Sequence, residues 1–157
     1  MNNQLTFRFL AEPTDVNFGG KVHGGAVMKW IDQASYACAV GWSDAYCVTV
    51  YVGGIRFFKS IQIGNMVEVR TRIMHTGRTS IHIAVEVWSK PIHEEELVKN
   101  THCIIVFVAM DDKGKPKEVP AWKPVTQDDR DLEMYAKKLM DLRTAIEDEM
   151  KKFPSLS

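Results

Sequence analysis

At 157 residues the chain is long enough to bury a full core and too short for two ordinary domains. Its 45% hydrophobic and 25% charged residues suit a soluble globular protein and exclude a disordered one. Twenty basic residues balance twenty acidic ones, so no broad field draws nucleic acid or an anionic membrane, and a bound anion needs a local cluster.

The N-terminus alternates polar and apolar residues and lacks the basic-then-apolar run of a signal peptide. Leu5, Phe7 and Phe9 share one face of a strand predicted over residues 5–11. A loop rich in Gly, Pro, Asp and Asn follows, over residues 13–25. From Gly25 to about Ala39, Val27, Trp30, Ile31, Ala34, Ala37 and Cys38 recur at spacings of three and four and predict a helix. Period two then returns. A strand is predicted over residues 46–58, with Gly53-Gly54 marking a bulge or bend. The next, over residues 66–75, sets Val67, Val69, Thr71 and Ile73 against Glu68, Arg70 and Arg72. Gly77-Arg78 turns the chain into a strand over residues 79–90. The last strand, residues 97–110, has an apolar second half that implies burial on both faces. That half is also the longest apolar run, far short of a membrane span.

A linker punctuated by proline leads to a C-terminal helix, with Thr126 as N-cap and Asp129 three residues on. Its stripe of Leu132, Tyr135, Leu139, Leu142, Ile146 and Met150 suits docking on the domain in preference to contact between subunits. Four consecutive strands with short turns imply an antiparallel sheet. The class expected is α+β, a five-stranded sheet wrapped around one long central helix. Residues 1–125 form that domain and residues 126–157 a C-terminal helical extension.

Chemistry concentrates at the helix start. Two glycines in Lys21-Val22-His23-Gly24-Gly25 leave the first amides of a helix uncovered, where the dipole also favours negative charge. They equally suit a tight turn. Asp32 lies on the polar stripe Lys29, Asp32, Gln33 and Tyr36, either a solvated face or a carboxylate facing a cleft. Asn17 is a turn residue or a carboxamide that holds a water. His23 is a substrate contact, a general base or a loop-packing residue. The other histidines have no metal-like spacing, so no metal site is expected. There is no GxSxG, and Cys38 is a weak candidate nucleophile. Three cysteines cannot all pair within one chain, which points to reduced thiols and a cytoplasmic protein.

The segment TDVNFGGKVHGGAVMKWIDQAS, residues 14–35, resembles the signature of hotdog-fold acyl-CoA hydrolases, both small bacterial broad-range enzymes and brain-type relatives. IRFFKSIQIGNMVEV, HTGRTSIHIAVEVW and MDDKGKPKEVPAW extend the resemblance over residues 5–122. One departure is Asn65, where relatives often carry Asp. The resemblance implies an acyl-CoA thioesterase, with a catalytic pair of Asn17 and Asp32 meeting across a dimer interface and Gly24 and Gly25 at the helix start. It also implies that the turn Gly77-Arg78-Thr79-Ser80 approaches coenzyme A. Arg56 and Lys59 at a strand end are further candidates for the basic grip that a neutral chain needs. Asp32 would act as base or nucleophile, with no cofactor beyond the coenzyme A of the substrate, in a homodimer or trimer of dimers. Two other readings share the pocket: a hotdog enoyl-thioester hydratase or dehydratase, and a non-catalytic acyl-CoA-binding regulator. The pattern of Asn17 with Asp32 fits hydrolysis better than hydration, and the retained Asp32 and the lack of a basic helical segment count against the regulator.

Overall fold

The structure is a computed structural model that describes residues 2–155, so residues 1, 156 and 157 of the expected domain ranges lie outside it. The chain divides into two compact units, Met1–Ala121 and Trp122–Ser157.

In the first unit, strand β1 spans Gln4–Leu10, helix α1 Gly24–Ser43, and strands β2 to β5 Tyr46–Phe57, Met66–Thr76, Ser80–Lys90 and Val98–Met110. The strands form one antiparallel sheet in the order β1-β3-β4-β5-β2. Helix α1 approaches all five of them. A flat sheet of five strands is about 19 Å across, and a helix with its side chains is only about 10 Å wide. The sheet therefore curls around α1, as the hotdog expectation requires.

Alternation sets the inner face: Val67, Val69 and Ile73 of β3, and Ile81, Ile83, Val85 and Val87 of β4, are fully buried. Burial of each such side chain stabilises the fold by about 1.5–3 kcal/mol. They meet Val27, Trp30, Ile31, Ala34, Cys38 and Ala39 of α1. Phe9 of β1 closes one flank, its ring 4.9 Å from Trp30 at an edge-on angle. Both faces of the second half of β5 are buried from Cys103 to Phe107.

Two features differ from the periodicity reading, and one agrees with it. Helix α1 runs a turn past Ala39 to Ser43, because Trp42 is buried and its Nε1 donates to the Pro120 carbonyl at 2.8 Å. Asp44 then caps it in the left-handed region. Gly53-Gly54 does mark a bulge, since the β2–β5 register slips between Gly53 and Arg56. Glu68, on the polar face of β3, is buried rather than solvated. It stands opposite Arg8 of β1, whose Nε donates to it at 2.9 Å, and Arg70 pairs with its other oxygen at 2.8 Å. Arg70 in turn lies over the Trp88 ring.

In the second unit, α2 spans Gln127–Lys151. Thr126 accepts from the Asp129 amide at 3.1 Å while Asp129 accepts from the Thr126 amide at 3.0 Å, a reciprocal capping box. Along α2, Leu142, Ile146 and Met150 of the expected stripe are exposed. No helix of the described residues is long and apolar enough to cross a membrane.

Burial alone would raise the Glu68 carboxyl, but hydrogen bonds and charge from Arg70 and Arg8 outweigh it and hold the group below the ordinary carboxylate value. Its stabilising contribution is therefore complete above about pH 4.3 and lost as pH falls through the lowered value. Because both arginines still reach water, Glu68→Gln should cost about 1–2 kcal/mol at neutral pH. The check is denaturant unfolding of both proteins from pH 7 to pH 3. The gap should close in acid; a constant gap would show that the charge contributes nothing.

Candidate active site

The loop before α1 is held at several points, and these decide which polar groups remain open. The Asn17 side-chain oxygen accepts from the Gly19 amide at 2.8 Å and the Lys21 amide at 3.0 Å. Two N–H donors identify that atom as oxygen, so the half of the carboxamide left open is the donor, Nδ2. Asn17 is thus both a turn residue and an outward donor; it cannot hold a water by accepting from it. The Val22 amide donates to the Ile61 carbonyl and the His23 amide to the Asp15 carbonyl, fixing where α1 begins.

His23 is the N-cap of α1, and its Nδ1 accepts from the Gly25 amide at 2.9 Å. An accepting Nδ1 places the ring proton on Nε2. The two open amides expected here reduce to one. Gly25 is engaged by His23, and the Gly24 N–H has no partner among the described residues. A Cβ on Gly24 would meet nothing within 4 Å, so space adjoins that amide.

That space belongs to a cleft of about 330 Å³, lined in part by Asn17, Gly24, Phe57, Phe58, Lys59 and Thr101. The cleft gathers an amide donor, a carboxamide donor and two lysines, Lys21 and Lys59, on walls of mixed polarity. Arg56 is not in its lining and stacks over the Phe58 ring at 5.3 Å.

Asp32 is also outside this lining. It is exposed on the outer stripe of α1, where its Oδ1 accepts from Thr49 Oγ1 of β2 at 2.8 Å. Thr49 fixes the carboxylate and leaves Oδ2 open. Thr49 has no signature in the sequence, because a threonine in a strand carries no signal until its neighbour is known. Asp32 lies eight residues beyond Gly24, about 12 Å along the helix. One carbonyl cannot touch both within a chain.

The turn Gly77 to Ser80 lies at the other end of the sheet. Ser80 pairs with Val108 of β5 and Phe57 with Thr101, rows seven residues apart, which is about 24 Å along the strands. The turn is tight: the Gly77 amide donates to the Ser80 carbonyl at 3.0 Å, and a Cβ on Gly77 would sit 2.5 Å from Ser80 Oγ. The Thr79 carbonyl accepts from the Ala109 amide, and Ser80 Oγ lies 3.3 Å from His82 Nε2. Arg78 pairs with Glu118 at 3.5 Å, with both side chains largely exposed, a contact that leaves the guanidinium open to a stronger anion.

The thiols are unsuited to nucleophilic work. Burial raises Cys38 and pushes Cys103 up to about 11, away from the thiolate form. No group of three or more His, Cys, Asp or Glu among the described residues could hold a metal ion.

The cap on Gly25 has a measurable consequence. His23→Asn, which keeps an N-cap acceptor, should unfold within about 0.5 kcal/mol of wild type, whereas His23→Ala should lose about 1 kcal/mol. Equal thermal stability of all three proteins would show that the His23–Gly25 contact does not support the helix.

Against known proteins, the model of the Thioesterase superfamily matches residues 19–96. A protein of Buchnera aphidicola, described as an uncharacterized acyl-CoA thioester hydrolase, is 38% identical over 117 residues, covering 73% of this chain and 87% of that protein. The acyl-CoA thioester hydrolase YciA of Salmonella typhimurium is 34% identical over 120 residues, covering 74% of this chain and 90% of its own length. Among solved structures, an apo-hexameric acyl-CoA thioesterase superposes with a TM-score of 0.87 at 29% identity, covering 91% of this chain and 92% of its own. The fold and the matched sequence agree, and the chain belongs to the thioesterase superfamily, among its acyl-CoA thioester hydrolases.

Proposed function

We propose that this protein hydrolyses acyl-CoA to a free fatty acid and coenzyme A, in sites each built from two chains. The observation that carries the reading is the open carboxylate of Asp32, aimed by Thr49, on the same helix as the open amide of Gly24. The enzymes YciA and the apo-hexameric thioesterase, to which the chain is similar, bear names of the same activity.

A thioester carbonyl is already electrophilic and its thiolate leaves readily, since a thiol ionises near pH 8.5. The protein must chiefly activate water and stabilise the oxyanion. Gly24 N–H and Asn17 Nδ2 of one chain would receive the carbonyl oxygen; one such donor is worth about 3 kcal/mol. Asp32 Oδ2 of a second chain would take a proton from water as it adds to the carbonyl carbon. The C–S bond then breaks, the thiolate leaves with its electron pair, and the proton on Asp32 returns to it or to solvent. No resident cofactor enters these steps.

The spacing of about 12 Å between Gly24 and Asp32 within one helix supports a second chain in each site. Strand β2 supplies a means of joining. It lies at the sheet edge and exposes Tyr46, Val50 and Val52, a liability that edge-to-edge pairing of two copies removes. Such a homodimer, assembled into a hexamer as three dimers, also brings opposite sheet ends of neighbouring chains within reach of one ligand. Lys59 and Arg56 would then grip the phosphates of coenzyme A from one end and the Gly77–Ser80 turn with Arg78 from another. Three free, buried cysteines suit the cytoplasm, where acyl-CoA is found in the reducing pool.

Thiol release across acyl-CoAs from acetyl to palmitoyl tests the activity. Asp32→Asn should fold and lose at least about a hundredfold in kcat, and Thr49→Val about tenfold, with Thr49→Ser near wild type. Near-normal turnover by folded Asp32→Asn would remove Asp32 from the reaction.

A shared site also predicts complementation. Mixing inactive Asn17→Ala and Asp32→Ala proteins under subunit exchange makes about half of the dimers heterodimers, each with one intact site. About a quarter of wild-type sites should return. Verified exchange without recovered turnover would mean that each site lies within one chain.

A further inference from the structure

The segment after β2 carries Lys59, one of two lysines that line the cleft and the one not held by Gln62, yet no regular ladder holds the segment: β2 ends at Phe57, paired with Thr101. Asn100 of β5 takes over. Its carbonyl accepts from the Phe58 amide at 2.7 Å and from the Lys59 amide at 3.4 Å. Its side-chain Nδ2 donates to the Lys59 carbonyl and to the Ser60 carbonyl, both at 3.3 Å. The peptide groups on either side of the Lys59 Cα are therefore both tied to one residue. Next to it, Thr101 Oγ1 donates to the Arg56 carbonyl, so two consecutive residues of β5 hold the whole stretch from Arg56 to Ser60.

Asn100 is 3% exposed, and its side-chain oxygen accepts from Ser89 Oγ of β4, itself 4% exposed, at 2.6 Å. A buried carboxamide is costly unless its hydrogen bonds are made. Here the oxygen and both contacts of Nδ2 are used. An aliphatic residue, such as those downstream at Ile104 and Ile105, would pack the strand but leave the Lys59 and Ser60 carbonyls unheld. Ser89 fixes the amide orientation, because a hydroxyl donating to one end assigns that end as oxygen and turns Nδ2 toward the loop.

We propose that Asn100, oriented by Ser89, is a positioning residue that fixes Lys59 to receive the phosphate-bearing end of coenzyme A. The inference rests on the hydrolase reading for the ligand and adds to it the means by which a mobile, charged side chain acquires a defined base. A lysine head brings the charge, but its long stem gives no direction. Pinning its backbone on both sides restricts where the ammonium can reach. Because phosphate contacts are the same in the ground and transition states, losing the clamp should act on KM and leave kcat in place. It should also act only on substrates that carry the nucleotide.

The test compares one acyl chain, the one that wild type releases fastest, as its coenzyme A thioester and as its N-acetylcysteamine thioester, which lacks all phosphates. Asn100→Ala should raise KM for the coenzyme A thioester at least about tenfold with kcat within about threefold. Its kcat/KM on the short thioester should stay within about twofold. In a Lys59→Ala background the same substitution should change KM by less than about threefold, since the group it positions is gone. Ser89→Ala, which keeps Asn100 in place, should move KM in the same direction by about threefold and serves if Asn100→Ala does not fold. Equal losses on both thioesters, an unchanged KM, or an effect that persists without Lys59 would each overturn the proposal. Calorimetric titration with free coenzyme A separates it from the hydrolase reading. Wild type that binds coenzyme A without releasing thiol would reject the hydrolase, while binding about tenfold weaker in Asn100→Ala would still support the clamp. Unaltered binding would reject it.

Discussion

The close approach of α1 to the curved sheet constrains every other part of the molecule. Ala34 and Ala39 are wholly buried at that contact, and Cys38 nearly so. A larger side chain at either alanine would force helix and sheet apart, at about 1–3 kcal/mol for each misfit. With its inner side occupied, the helix offers chemistry at its open start, Gly24, and along the strip through Met28, Lys29, Asp32 and Gln33, all exposed. Thr49 of β2 reaches that strip from the sheet edge. The carboxylate that this packing leaves outside is also the one best placed to be oriented.

The same packing separates the parts of the proposed site. A helix laid along the strands carries its start to one end of the sheet and its later turns toward the other. Gly24 and Asn17 fall near the Phe57–Thr101 row, whereas Asp32 bonds to Thr49, which pairs with Phe107 farther along β5. Neither side-chain rotation nor loop adjustment spans about 12 Å along a rigid helix. In the proposed dimer, a second copy antiparallel to the first would remove the difficulty, because it would bring the far end of one chain to the near end of the other. The exposed apolar positions of β2 would be covered in that dimer.

Much of this was legible in the sequence because it depends on period. Alternating residues in β3, β4 and β5 gave the strands and their buried face. Three-and-four spacing gave α1, and Thr126 with Asp129 gave the start of α2. What escaped shared a cause: the partner lay far away in sequence. The last turn of α1 needed Pro120 to receive Trp42, and Glu68 reads as a solvated charge until Arg8 of β1 is placed opposite. The resemblance implies Asn17 and Asp32 as a pair, but which atom of Asn17 is free, and that Gly25 is already engaged by His23, are matters of geometry. Thr49 had no sequence signal at all.

Strand β5 shows why periodicity cannot recover such features. Its second half is apolar and reads correctly as core, while the polar residues Asn100 and Thr101 of its first half carry no apolar signal for burial. Both are as deeply buried as the core. Alternation measures whether a position prefers to avoid water, and it assigns polar residues to the outside by default. A buried polar side chain breaks that rule only when its hydrogen bonds are supplied from elsewhere, and those of Asn100 come from β4 and from the loop that follows β2. Its burial therefore follows from the closure of that loop. A ladder of backbone bonds could not replace it, since beyond Phe57 the chain leaves the plane of the sheet toward the cleft. The carboxamide extends the reach of β5 by one side chain, at the point where the fold passes from scaffold to binding surface.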